Sequence, residues 1–205
     1  MKTLREVSLI ANNKGMTPLM LAVEHGYFTI FRFLLELCFA YDQTVEAPKK
    51  LLPTIMSGRC DKKKETCLLK SVSTPGQLEI TYSILHLITS GAVPYEVATA
   101  VDGVRSRNVL HWAVHNKQRD LIEVLVSKID ADKRELREAK DSKGKTPADI
   151  DNAGQFTELF NTVWDYAKEG NLKKLRQVID SGRFGANDQT LWSKNTPLHI
   201  AVRNL

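Results

Sequence analysis

The feature that most constrains how this 205-residue chain folds is a short segment that occurs three times ahead of a helical pattern. Residues 12–18 and 141–147 both end in Gly-x-Thr-Pro, and residues 195–202 read Asn-Thr-Pro-Leu-His-Ile-Ala-Val. The Thr can cap a helix, and Pro fits the first helical position because its missing N–H would be unpaired there. The Gly permits a left-handed turn just before the cap. Each segment therefore predicts a tight turn followed at once by a helix.

Three further copies of this helix entrance are degenerate. Residues 61–69 keep Thr66 and the leucines after it but lose Gly and Pro, and residues 108–114 keep Leu-His-x-Ala behind an Asn cap. Residues 163–172 lack the Thr-Pro pair, yet they carry an Ala-x-x-Gly-Asn-Leu elbow of the kind that joins paired helices. The entrances then fall at residues 17, 66, 108, 146, about 161 and 196.

Apolar residues at i, i+3 and i+4 follow four of these entrances, and this spacing indicates amphipathic second helices. The sets are Ile30-Phe31 with Leu34-Leu35, Ile84 with Leu87-Ile88, Leu121-Ile122 with Leu125-Val126, and Leu175 with Val178-Ile179. Gly91 and Gly182 follow two of the sets and are predicted to end those helices.

The repeated unit resembles the ankyrin repeat, which has a period of about 33 residues and a Thr-Pro-Leu-His-x-Ala core at its first helix. The resemblance implies an all-α ankyrin-repeat solenoid of about five to six helix-turn-helix units with extended loops. Another all-α bundle is the alternative, but it explains the helices without explaining the repeated entrances.

The uneven spacing of the entrances predicts insertions at about 39–60, 93–103 and 129–140. The first insertion is interpreted as an extended loop or finger, because it contains Pro48, Pro53 and Gly58. In the second, Pro94 is predicted to start a short helix. The third contains Asp132-Lys133-Arg134-Glu135, a sequence like a capping box, and is predicted to hold a short charged helix.

The interval between the entrances at 146 and about 161 is too short for a second helix, which predicts a seam near residues 151–162. Residues 156–168 then form either one long helix shared by two units or a junction between two sub-arrays. We divide the array into residues 1–160 and 161–205, with an incomplete last repeat. Because that repeat has no room for a second helix, we expect the chain to be a fragment of a longer protein.

Three kinds of motif suggest a chemical site, but each lacks residues that such a site requires. Residues 144–146 read Gly-Lys-Thr like the end of a phosphate-binding loop, but the first glycine of that loop is replaced by Ala139. His111 and His115 have a spacing that can hold zinc, yet no third ligand is near; the resemblance implies that His111 and His199 are structural. The three cysteines lack zinc-finger spacing. We therefore expect no catalytic residue, no metal site and no cofactor, and a chain that is not an enzyme.

The chain has 29 Lys and Arg against 24 Asp and Glu, a formal net charge of +5. The densest basic cluster is Arg59 with Lys62, Lys63 and Lys64, which can attract an acidic partner or nucleic acid through its field. Aromatic residues are not interleaved with it, so we expect no nucleic-acid binding. No apolar run is long enough to span a bilayer.

The odd cysteine count, without paired spacing, indicates a reducing compartment. We expect a monomer in the cytoplasm. Arrays with many insertions also resemble the effectors that intracellular bacteria deliver, and a bacterial effector would act in the host cytoplasm.

The resemblance implies a scaffold that binds an unidentified folded protein, with an acidic partner as one candidate. Carried over by position, the partner-binding residues of fingers and first helices are Asn13, Lys14, Met16, Glu24, His25, Lys62, Lys63, Glu65, Arg105, Arg107, Trp112, His115, Asn116, Ser142, Lys143, Lys145, Lys168, Glu169 and Trp192. One alternative is the targeting region of a larger enzyme whose catalytic domain is outside this chain. The other is a binder of nucleic acid or anionic membranes that uses the basic patch.

Overall fold

The computed structural model describes residues 10–44, 50–60, 63–131 and 133–203, and within these ranges the chain forms thirteen α-helices and no strand. The helices are α1 (Pro18–His25), α2 (Phe28–Asp42), α3 (Leu51–Ser57), α4 (Cys67–Ser73), α5 (Leu78–Thr89), α6 (Glu96–Thr99), α7 (Val109–His115), α8 (Arg119–Val124), α9 (Glu135–Glu138), α10 (Pro147–Ile150), α11 (Val163–Lys168), α12 (Leu172–Asp180) and α13 (Pro197–Arg203). A π-helical turn, Leu125–Ile129, continues α8, and a 3-10 turn covers Thr157–Leu159. No helix in the described ranges combines the length and apolar composition required to cross a membrane.

The predicted helix entrances are confirmed as N-caps. At each one, a side-chain oxygen accepts a hydrogen bond from the backbone N–H three residues later, at 3.0 to 3.4 Å. The capping residues are Thr17, Thr66, Asn108, Thr146, Thr162 and Thr196. These bonds satisfy backbone donors that a helix start leaves unpaired, so they fix where the first helices α1, α4, α7, α10, α11 and α13 begin.

A closed finger turn precedes five of these six caps. In each finger a backbone N–H donates to the carbonyl of the residue just before the cap, at 2.8 to 3.2 Å. The residue two positions before the cap has a positive φ, from 51° to 74°. These residues are Gly15, Lys64, Ser106, Gly144 and Lys194. The turn therefore forms even where the sequence lacks Gly, at the conformational cost that a side chain brings to this region.

The second helices are also where the apolar spacing predicts them, in α2, α5, α8 and α12. Gly91 and Gly182 end α5 and α12 as predicted, with φ of 77° and 73°. The α2, α5 and α8 helices each contribute buried residues to the core, whereas α12 has none.

The first insertion is helical where an extended loop was expected. Its α3 helix buries Leu51, Leu52, Ile55 and Met56, and the carboxylate of Asp42 caps it by accepting the first two backbone N–H groups. The extended-loop interpretation is wrong for this helix, because burial of its apolar side chains outweighs the local turn signals. Residues 45–49 lie outside the described ranges.

The other two insertions each hold a short helix, as expected. The α6 helix begins two residues after Pro94. The α9 helix is capped by Asp130, whose carboxylate accepts from Leu136 N and Arg137 N at 3.0 and 3.1 Å. Asp132, from which the capping box was expected to start, lies outside the described residues.

The seam near residues 151–162 interrupts the helical repeat. The α10 helix is a single turn, because the Asp151 carboxylate accepts from the N–H groups of Gln155 and Phe156 and folds the chain away. One continuous helix over residues 156–168 is wrong. Thr162 and Asp165 cap each other reciprocally and start α11 afresh. Phe160, two residues before this cap, has φ of −75°, so no finger forms here.

The hydrophobic core is also divided at the seam. One cluster of buried residues extends from Met16 to Leu159. A second, smaller cluster consists of Ala131, Val163, Trp164 and Phe184, with partly buried side chains from α12 and α13 around it. Most apolar side chains before and after the seam are thus buried in separate clusters, but Ala131 joins the second cluster and Trp192 packs against the first.

A buried ionic network centred on Arg137 connects the two sides. Its guanidinium donates to Asp130 Oδ2 at 3.2 Å, to Asp165 Oδ2 at 2.6 Å and to three backbone carbonyls. The side chains of Arg137, Asp130 and Asp165 are 5%, 0% and 4% exposed. Burial raises the pKa of Asp130, although bonds from the backbone and Arg137 favour its charged form. The charges are therefore paired within the fold, as buried charges must be.

Candidate functional site

The fingers of the second, third and fourth entrances are joined to one another by backbone hydrogen bonds. Gly103 N donates to Lys63 O at 2.7 Å, and Ser142 N donates to Arg105 O at 2.8 Å. A Cβ atom at residue 103 would lie 3.2 Å from Lys63 O, so Gly permits this close approach. We call residues 63–65, 102–107 and 141–145 together the finger ledge. Its neighbouring turns are fixed in position before any partner arrives.

Carboxylates hold the turns of the ledge from inside. Asp102 accepts from the N–H groups of Val104 and Arg105 at 2.8 and 2.6 Å, and Asp141 accepts from those of Lys143 and Lys145 at 2.8 and 3.1 Å. Both aspartates are buried, whereas the basic side chains of the ledge are exposed or half-buried. The outer surface of the ledge is consequently cationic.

Grooves lie between the fingers and the first helices. A cavity of about 270 Å³ is lined by the second and third fingers with Lys70 and Trp112. A cavity of about 480 Å³, which we call the finger pocket, lies between the third and fourth fingers and is bordered by the end of α7 and by the seam. A further cavity of about 390 Å³ is lined by Trp164, Lys168 and α13. These sizes suit side chains of a partner.

Two residues of the finger pocket, Arg107 and His115, lie against Trp112, which lines the neighbouring cavity of about 270 Å³. The Arg107 guanidinium lies 5.6 Å from the centre of the Trp112 ring, and the His115 ring meets Trp112 edge-on at 5.6 Å. Burial and the nearby charges of Arg107 and Arg105 lower the pKa of His115 below its ordinary value. In the free protein the imidazole therefore favours its neutral form at neutral pH.

The predicted partner-binding residues fall into groups by exposure. Exposed ones are Asn13, Lys14, His25, Lys63, Arg105, His115, Ser142, Lys143, Lys145, Lys168 and Glu169. Half-buried ones are Glu24, Arg107, Trp112, Asn116 and Trp192. Met16 and Glu65 are only 5% and 4% exposed, so they offer little surface to a partner and we leave them out of the proposed surface. Lys62 lies outside the described residues.

Several half-buried residues of the predicted set are engaged inside the fold. Glu24 Oε1 lies 3.0 Å from Lys70 Nζ, and this bond lowers the pKa of Glu24. Asn116 donates to Val72 O at 2.7 Å, and Trp192 donates to Ile129 O at 3.0 Å. These contacts connect neighbouring units, which gives the three residues a structural role that their positions in the repeat did not reveal.

Trp112 is likewise tied to the ledge. Its indole N–H donates to Asp102 Oδ2 at 3.1 Å, and its ring lies against Arg107 and His115. The ring thus organises the basic side chains around it, and it also lines the cavity of about 270 Å³.

The sequence analysis missed Lys117 and Asp151, which both line the finger pocket. Lys117 has φ of 55° and lies at the elbow between α7 and α8, where the equivalent elbows have Gly26 and Gly170 with φ of 70° and 66°. An alignment of the elbows places Lys117 at the position of Gly26 and Gly170. Asp151 gives no such signal, because its place in the pocket depends on the seam.

His111 has the structural role that the resemblance implied. Its Nε2 lies 3.1 Å from Lys145 O and its Nδ1 lies 2.7 Å from Asn108 Oδ1. Burial lowers its pKa. The imidazole therefore connects α7 to the fourth finger, with both ring nitrogens engaged.

The thiols have no activated environment. Cys38, Cys60 and Cys67 are buried and unpaired, and burial raises the pKa of Cys38 to about 11 and that of Cys67 to about 12. Within the described residues no group of three or more His, Cys, Asp or Glu side chains is placed to hold a metal. The arrangement of the ledge is suited to binding through shape and charge.

A family model described as Ankyrin repeat matches residues 14–42. No curated protein matches the sequence. Among solved structures, the chain is similar to that of a predatory endopeptidase from Bdellovibrio bacteriovorus, solved in complex with an immunity protein. That similarity has 16% identity and a TM-score of 0.47, and it covers 96% of this chain and 79% of that chain. The ankyrin repeat domain of Bcl-3, a member of the IkappaB protein family, is similar at 19% identity and a TM-score of 0.46, over 95% of this chain and 67% of that chain.

The family match covers α1 and α2. The finger closure, positive φ and helix cap found at the entrance to α1 recur in four further fingers of the described residues. Residues 14–42 are therefore similar to an ankyrin repeat, and four further fingers have the same local geometry as the entrance to α1.

Proposed function

We propose that this protein is an interaction scaffold that binds a folded protein partner through the finger ledge and the first helices beside it. The observation that carries the proposal is the pair of backbone hydrogen bonds between fingers, from Gly103 to Lys63 and from Ser142 to Arg105. They hold three fingers in one continuous surface that exposes Lys63, Arg105 and Lys143.

A surface ordered in advance favours binding because less conformational entropy is lost in the complex. The cationic side chains add long-range attraction for an acidic partner, which mainly raises the rate of association. We infer that the scaffold has no catalytic activity of its own, since the described residues of the ledge serve binding and structure. The unpaired cysteines support a reducing compartment such as the cytoplasm, and we expect a monomer.

The test compares two charge-reversed variants of the full chain. In the ledge variant four exposed cations of the ledge are changed to Glu: Lys63, Arg105, Lys143 and Lys145. In the control variant four exposed cations of the second helices and the turn after α8 are changed to Glu: Lys128, Lys173, Lys174 and Arg176. Both variants change the net charge equally. Proteins recovered on the immobilised chain from an extract are identified, and each is then purified and measured for direct binding.

The proposal expects direct binding of a purified partner to be lost in the ledge variant and retained in the control variant. Hydrogen exchange on that complex should show protection across several fingers. Equal loss in both variants, or protection restricted to the second helices, would overturn it. Capture of nucleic acid by the unaltered chain and the control variant, but not by the ledge variant, would support the basic-patch alternative instead.

A further inference from the structure

We propose that the finger pocket is a carboxylate-binding site that receives an acidic side chain from a peptide segment of the partner, with His115 protonated in the complex. The inference rests on the proposed function, because it names the part of the ledge that recognises the partner and the chemistry it recognises. It goes further by coupling recognition to the uptake of a proton.

The pocket collects positive charge from two fingers and one helix end. Arg107 enters from the third finger, Lys143 and Lys145 from the fourth, and His115 and Lys117 from the end of α7. Each of these except Arg107 is exposed. An anion in the pocket would therefore lie among four permanent cations and an imidazole.

The two carboxylates of the lining offset only part of this positive charge. Asp141 Oδ1 accepts from two backbone N–H groups of its finger, and its Oδ2 lies 3.4 Å from Arg107 Nε. Asp151 accepts from the N–H groups of Gln155 and Phe156. Four permanent cations thus face two carboxylates that are already engaged within the fold, and the lining keeps a net positive charge.

Arg107 retains donor capacity that the fold leaves unused. Its side chain is 12% exposed and is held against Trp112, yet its buried Nη1 atom has no hydrogen-bond partner. A carboxylate that reaches this unpaired nitrogen can accept a charge-assisted hydrogen bond from it.

His115 provides the coupling to protons. The groups facing it are Arg105 and Arg107 of the third finger, Lys143, Lys145 and Asp141 of the fourth, Lys117 of the elbow and Asp151 of the seam. Burial and the arginines lower its pKa in the free protein, and a bound carboxylate would raise it again. Binding then takes up a proton, and affinity rises as the pH falls through the histidine range.

The lining favours a peptide over nucleic acid. Ile150 and Ala153 contribute apolar surface on the side of the seam, next to the buried Val114 and Phe156. Trp112 lines the neighbouring cavity and not the finger pocket, and Phe156 of the pocket is only 6% exposed, so neither ring offers a base a face inside the pocket. Recognition of single strands relies on such faces, whereas an acidic peptide can use both the cations and the apolar wall.

The experiment uses the full chain and a fluorescein-labelled peptide of alternating Glu and Leu as the probe. Anisotropy is measured at about pH 6 and about pH 7.5, on either side of the ordinary histidine pKa of about 6.5, while Glu remains ionised at both. We expect binding to be roughly fivefold tighter at the lower pH, a coupling at the low end of the usual range. The peptide with Gln in place of Glu should not bind.

Variants separate the site from general effects. His115→Gln should bind the peptide with no pH dependence, and Lys143→Met should bind more weakly while leaving the fold intact, since both side chains are exposed. Lys128→Met, an exposed residue outside the pocket, is the matched control and should behave as the unaltered protein. Circular dichroism confirms that each variant is folded.

The inference is overturned by affinity that does not change with pH, by an equal pH dependence in His115→Gln, or by an oligonucleotide that displaces the peptide and binds more tightly. In those cases the ledge variant still tests the proposed function independently. If the ledge variant loses the protein partner but the finger pocket does not bind the peptide, the scaffold function is supported and only the carboxylate site is refuted.

Discussion

Replacing Arg137 with Met removes the buried cation of the network that connects the units on either side of the seam. The guanidinium makes five hydrogen bonds, two of them to the carboxylates of Asp130 and Asp165. Met fills a similar volume but leaves both buried carboxylates without their main partner. Breaking a buried ion pair from one side costs about 3–5 kcal/mol. This is a large share of the roughly 5–15 kcal/mol that stabilises a typical domain.

The assay is urea unfolding of the full chain, followed by circular dichroism and by tryptophan fluorescence. Trp164 lies in the second core cluster and Trp112 lies before the seam, so single-Trp variants report each side separately. Arg134→Met is the matched control. Its side chain is 38% exposed and 3.7 Å from Asp165, so we expect a loss of less than about 1 kcal/mol.

The stability lost in Arg137→Met should depend on pH, and the structure gives the direction of that dependence. Burial already raises the pKa of Asp130, and loss of the Arg137 charge raises it further. A carboxyl with a raised pKa in the folded state favours folding when protonated, and this contribution is lost as the pH rises. The penalty of Arg137→Met should therefore be smaller at about pH 5 than at about pH 7.5. A loss no larger than that of Arg134→Met, or a penalty that grows on acidification, would refute the reasoning.

Three further tests concern local features of the fold. Ser106→Gly should raise the free energy of unfolding by about 0.5–1 kcal/mol, because Ser106 has φ of 53°. Gly144→Ser should lower it by about 1 kcal/mol through backbone strain, although a Cβ there meets no atom within 4 Å. Thermal melts measure both variants, and changes of the opposite sign would contradict the strain argument. Thr66→Ala removes the cap to Leu69 N at 3.2 Å and should cost about 1 kcal/mol, whereas Thr66→Ser should restore most of it. Cys67, fully buried with its pKa raised to about 12, should not react with a thiol dye until urea unfolds the chain, and rapid labelling of the native protein would show the burial to be wrong.

Much of the fold was predictable because its signals are local. A Thr hydroxyl caps the helix that follows it whatever surrounds it, so Thr17, Thr146 and Thr196 marked their helices directly. The degenerate entrances at Thr66 and Asn108 kept the capping oxygen and were found for the same reason. The α3 helix was missed because its stability comes from burial and from the distant carboxylate of Asp42.

The candidate site was less predictable. Position in the repeat identified the exposed cations Lys143 and Lys145 as candidates, but it gave Glu24 and Asn116 the same status although they bond to neighbouring units. Whether a side chain faces a partner or its own fold depends on what the adjacent unit places opposite it. The spacing of residues within one unit does not show which side chains the adjacent unit will contact.

The sequence alone determined where five of the six first helices begin, since caps, Pro at the first helical position and Gly turns act within a few residues, whereas the start of α11 was left open. Tertiary structure decided that Lys64, Ser106 and Lys194 would adopt the conformation of Gly, because backbone bonds close each finger around them. It also decided where the charges meet. Arg137 and Asp165 are 28 residues apart in the chain, and only packing across the seam brings them to 2.6 Å.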